Sequence, residues 1–98
     1  MRSGIGNDLP ALDQLSTAQR AFGARDFARA ESICRQVLGR LGPNPTALRI
    51  LGLALVERRE FEEAITAFRS AITLSPMDGT LRSDAAIVLS RADRKREA

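Results

Sequence analysis

The sequence predicts an all-α fold made of stacked helical hairpins, on three observations. Apolar residues recur at steps of three and four, which places them on one face of a helix. Turn signals rich in Gly, Pro and Asn divide the chain into segments too long for strands. The segments also resemble one another at a spacing of 34 residues.

The opening helix is expected from about Pro10 to Ala24, behind a flexible leader over residues 1–9. From Phe27, the residues Ala30, Ile33, Cys34, Val37, Leu38 and Leu41 share one face of a second helix. Gly42-Pro43-Asn44-Pro45 stops it and starts the next. Glycine ends a helix, Asn44 is placed to cap free amides, and Pro45 suits a first helical position whose N–H needs no partner. A third helix then runs to about Arg58. Phe61, Ala64, Ile65, Phe68, Ala71 and Ile72 repeat the stripe in a fourth, and Glu60, Glu62 and Glu63 stand near the positive end of its dipole. Pro76 closes that helix, and Asp78 is positioned to cap a fifth in which Leu81, Ala85, Val88, Leu89 and Ala92 share a face. No stretch alternates apolar and polar residues for long enough to make a strand.

Sliding the chain by 34 residues places Arg25-Asp26-Phe27-Ala28-Arg29-Ala30 on Arg59-Glu60-Phe61-Glu62-Glu63-Ala64. Only four positions are identical between 11–44 and 45–78, yet both turns and both stripes coincide without a gap. A further shift lands Thr80 and Leu89 on Thr46 and Leu55. The domain therefore divides into unit one at 11–44, unit two at 45–78 and a partial or capping unit at 79–98, together a stacked solenoid domain over 10–98.

Composition narrows the chemistry. A chain of 98 residues makes one small domain that buries about 60 to 65% of its unfolded surface. With 44% apolar and 28% charged residues it has the composition of a folded chain. It has no His, Trp or Tyr and a single Cys, so an imidazole base, a His/Cys zinc cage and an internal disulfide are all excluded. We expect no cofactor, no metal and no catalysis. The net charge of +3 includes 14 Arg, but these are spread through the chain among Asp and Glu, and phosphate binding wants one concentrated patch. The dense run Arg94-Lys95-Arg96 stands at the end of the sequence, and nucleic acid is not the expected partner. The longest apolar run, Ile50 to Val56, is far short of the ~20 residues of a membrane span, and no secretion signal is visible, so a cytoplasmic location without membrane contact is expected.

The middle unit resembles a tetratricopeptide repeat. The places of that motif hold Leu48, Leu51, Gly52, Leu55, Phe61, Ala64, Phe68, Ala71 and Pro76, with Leu48 and Leu55 standing where first-helix aromatics are usual. The first unit keeps Ala18, Phe27 and Ala30 but has Gln14, Thr17 and Cys34 at places the motif fills otherwise; the third has Ala86 and Leu89, then Lys95 where Phe27 and Phe61 stood. The resemblance implies tetratricopeptide-type helix-turn-helix repeats in a short right-handed α-solenoid of about five helices. It also places Gly52 and Ala64 where the paired helices approach most closely.

In such repeats the inner surface receives a peptide or a helix. The positions that correspond here are Leu12, Leu15, Gln19 and Phe22 in unit one, Thr46, Arg49, Leu53 and Val56 in unit two, and Thr80, Ser83, Ile87 and Ser90 in unit three. The resemblance implies a protein or peptide partner, bound in a groove floored by Leu15, Phe22, Leu53, Val56 and Ile87, with Arg49 available to a carboxylate. It is not the carboxylate clamp of chaperone-binding members, which needs Lys and Asn where Leu15, Gln19, Arg49 and Leu53 stand. A homo-oligomer through the terminal helix is a further expected contact. Two other functional readings are the repeat portion of a larger enzyme, such as a glycosyl- or sulfotransferase, and a weak nucleic-acid binder. Cys34 sits on a buried stripe as a small hydrophobe, Gly4-x-Gly6 lacks the third glycine of a phosphate loop, and the Glu60 to Glu63 group has no convergent ligands.

Overall fold

The computed structural model describes the backbone of residues 4–97 and the side chains of residues 13–93. Five helices follow one another: α1 (Gly4–Gly23), α2 (Phe27–Leu41), α3 (Pro45–Glu57), α4 (Phe61–Leu74) and α5 (Gly79–Glu97). Each packs on the next, and α3 also touches α1 and α5. The helices α1/α2 and α3/α4 thus form two hairpins side by side, and α5 opens a third unit. No strand occurs among the described residues.

Local chemistry sets the boundaries of α2 to α5. The Asn44 side chain accepts from the Ala47 N–H at 3.0 Å, and Pro45 begins α3. The Asp78 carboxylate accepts from the Leu81 N–H at 3.1 Å as predicted, and Asp26 does the same for Arg29 at 3.3 Å ahead of α2. Gly42 terminates α2 with φ of 78°, a backbone conformation that glycine adopts at little cost. Both turns inside the hairpins close in the same way. Arg25 and Arg59 have φ of 65° and 66°, and each is followed by an N–H that bonds back five residues: Asp26 to Ala21 and Glu60 to Leu55, both at 2.8 Å. This is the glycine-type helix stop of the Schellman motif, built twice on an arginine.

The core lies along the seam between the hairpins. Ala18, Ala30, Ala47, Ala54, Ala64 and Ala71 have no exposed surface, and Val37, Leu55, Phe68, Leu81 and Val88 fill the gaps between them. Small residues at the crossings let backbones approach, and large ones take up the volume left over. The helices α3 and α4 approach closely at Gly52, where an added Cβ would lie 2.5 Å from Cε2 of Phe68.

The structure differs from the sequence reading at two places. Backbone helix begins at Gly4, six residues before the expected start at Pro10, so the preference of proline for a first turn did not set this boundary. Residues 1–3 of the expected leader lie outside the described residues. Leu89, expected on the buried face of α5, is 41% exposed. It occupies the place that Leu55, 1% exposed, has on α3, which pairs with α4 in a hairpin; among the described residues no helix follows α5 to pair with it in the same way.

Candidate binding cleft on the inner face

The three first helices, α1, α3 and α5, lie next to one another through the contacts of α3 with both others. Between α1 and α3 a cleft of about 290 Å³ is lined by Gln19, Phe22, Arg49, Ile50 and Leu53. Four of these five are inner-face residues expected from the repeat. Phe22 is held in place by Phe27, whose ring centroid is 5.3 Å away at an interplanar angle of 62°, an edge-to-face contact across the turn. The Phe22 ring and the Leu53 side chain thus share the cleft lining with Gln19.

Arg49 is not available in the way the sequence suggested. Its Nε donates to Asp84 Oδ2 at 2.7 Å, so the one cation of the cleft is already paired with a carboxylate on α5. Asp84 and Ile50 are both absent from the expected set. The 34-residue shift places Asp84 in register with Ile50, beside the inner column, which is the signal that could have found it.

The other expected residues are distributed differently. Leu15 and Val56 are buried in the core, 7% and 2% exposed, and neither lines this cleft. Thr46, Ser83, Thr80 and Ser90 are exposed, and Ile87 is 59% exposed on α5. The side chain of Leu12 lies outside the described residues.

A second, more polar depression of about 180 Å³ lies on Val56, Glu57, Arg59, Phe61 and Arg91, and the Arg91 Nη1 to Glu57 Oε2 contact of 3.1 Å spans it. On the α2 and α4 side, Glu31 accepts from Arg35 at 2.8 Å and from Arg58, and Arg35 also reaches Glu63 at 2.7 Å. Burial alone would raise the Glu31 carboxyl, but the hydrogen bonds and charges of Arg35 and Arg58 outweigh it and hold the group below its ordinary value. The same bonds to Glu63 and Glu31 raise Arg35. Cys34 has no exposed surface, and burial pushes its thiol up to about 11, far from the thiolate that reactivity requires.

Among the described residues no group of three or more Asp, Glu or Cys side chains could hold a metal ion, and Glu60, Glu62 and Glu63 do not converge with others. No described helix is long and apolar enough to cross a membrane. What the inner face shows is a small cleft with both apolar and polar lining, whose one arginine is engaged in an internal ion pair. The family model of the tetratricopeptide repeat matches residues 15–78, from the middle of α1 to beyond the end of α4. Repeats of this kind generally mediate protein–protein interaction. A comparison with curated proteins gave no match.

Proposed function

Because the chain belongs to the tetratricopeptide repeat family, we propose that it is a non-catalytic binding module, an adaptor, scaffold or chaperone-like part that receives a segment of another protein across α1, α3 and α5. The observation that supports this reading is the meeting of Gln19, Phe22, Arg49 and Leu53 around one cleft. A volume of about 290 Å³ is at the lower limit of small-molecule pockets and suits one or two apolar side chains of a peptide. The anchor side chain lies between Phe22 and Leu53, and the Gln19 amide, a donor and an acceptor at once, meets the backbone of the bound segment. Ile87 extends the apolar track onto α5.

The Arg49–Asp84 pair makes the cleft electrically neutral, so the segment it suits is apolar and not acidic. The nucleic-acid alternative is weakened by the same kind of pairing, since Arg35, Arg49, Arg58 and Arg91 each face a carboxylate. No observation favours a transferase.

Peptides selected from a displayed random library on the immobilised protein provide the test. They should perturb the Gln19 side-chain amide and the Leu53 methyl resonances, and Leu53→Asp should weaken binding at least about tenfold while leaving the helical circular dichroism unchanged. Full binding by a folded Leu53→Asp variant, or perturbations confined to α2 and α4, would defeat the proposal.

A further inference from the structure

The exposed flank of α5 carries Arg82, Ala86, Leu89 and Asp93, all on the surface, with Leu89 41% exposed. Their spacing of four, three and four is that of a helix–helix seam. On α3 the matching residues are Leu48, Gly52 and Leu55: Gly52 meets Phe68 of α4, and Leu48 and Leu55 pack in the core, so by the logic of the repeat this is a packing face and not incidental surface.

The flank is complementary to itself. Run antiparallel to a second α5 about a two-fold axis between Ile87 and Val88, Arg82 stands opposite the partner's Asp93, and Ala86 stands opposite the partner's Leu89. Each large residue then meets a small one, and each cation meets an anion, twice over by symmetry. Arg82 and Asp93 are eleven residues apart, about 16 Å along the helix, so the charges bracket the apolar pair at its two ends. Asp93 already has an interaction within its own chain, and a carboxylate accepts more than one donor.

We propose that α5 is a homodimerisation helix, its occupant the α5 of a second copy in antiparallel register. This surface is distinct from the cleft between α1 and α3, and each can fail without the other. Dimerisation through it leaves Gln19, Phe22 and Leu53 open, so two copies would present two clefts.

Sedimentation velocity of the 98-residue chain over a concentration series should show a monomer–dimer equilibrium. Leu89→Asp should weaken it at least about tenfold without loss of helix, because Leu89 is outside the intrachain core. Arg82→Asp alone should also weaken it, and Arg82→Asp combined with Asp93→Arg should restore it, a rescue that a general loss of stability would not show. A chain that stays monomeric at its highest soluble concentration, as it would if a different helix belonged on this flank, overturns the proposal. So does a dimer indifferent to Leu89→Asp.

Discussion

Replacing Gly52 by alanine probes the close approach of α3 and α4. The new Cβ would fall 2.5 Å and 2.6 Å from Cε2 and Cδ2 of Phe68, distances at which something has to move. The ring cannot move freely, because Phe68 is 2% exposed and enclosed by the core. Overpacking of this kind costs about 1 to 3 kcal/mol, and two contacts this short place it in the upper part of that range. The better helix propensity of alanine returns up to about 1 kcal/mol. The net loss is about 1 to 2 kcal/mol, which for a domain of this size lowers the melting temperature by roughly 5 to 15 °C. Gly39 supplies the control, since it lies inside α2 with nothing within 4 Å of an added Cβ. Gly39→Ala should therefore raise the melting temperature while Gly52→Ala lowers it, both read by thermal circular dichroism. Adding Phe68→Leu to Gly52→Ala should cost less than the two single losses summed, because the narrower side chain gives way. If Gly52→Ala stabilises as Gly39→Ala does, the close crossing of α3 and α4 is wrong.

Three more outcomes can be measured. Arg59→Gly should stabilise the protein by about 1 kcal/mol in chemical denaturation, because the left-handed backbone at φ of 66° strains any residue with a Cβ. Cys34 should resist thiol reagents at neutral pH in the native state and react only as fast as the chain opens, since its thiol is buried and pushed up to about 11; prompt modification by a thiol-exchange reagent would contradict that burial. Glu31, held below its ordinary value of 4.5, contributes stability that is fully present above that value and is lost as the pH falls through its lower folded value. Glu31→Gln should flatten the acid limb of a denaturation-midpoint profile, and an unchanged limb would mean that the Arg35 and Arg58 bonds count for little in solution.

Most of the architecture was legible because its determinants are local or periodic. Asn44, Pro45 and Asp78 announce helix starts through short-range hydrogen bonding, and the stripes of α2 and α4 follow from steps of three and four. Periodicity gives direction but not depth. It places Leu15 and Val56 in one column with Leu53, yet only the third lines the cleft and the first two are buried in the core. Nor does it say whether a neighbour is present, which is why Leu89 reads as core and stands in the open. The Arg49–Asp84 contact joins residues 35 apart and depends on how far α5 leans toward α3, a quantity that no single-helix pattern encodes. The Asp26 cap does have a sequence signal, an aspartate one residue ahead of Phe27 and the stripe that follows it.

The Arg49–Asp84 bond also acts as a strut between the middle hairpin and the helix beyond it. One end lies in the cleft wall and the other is anchored on α5. Because Asp84 already holds the guanidinium, an apolar guest of the proposed kind would enter beside Phe22 and Leu53 without breaking this tie, and the spacing of α3 and α5 would be the same in the filled and the empty cleft.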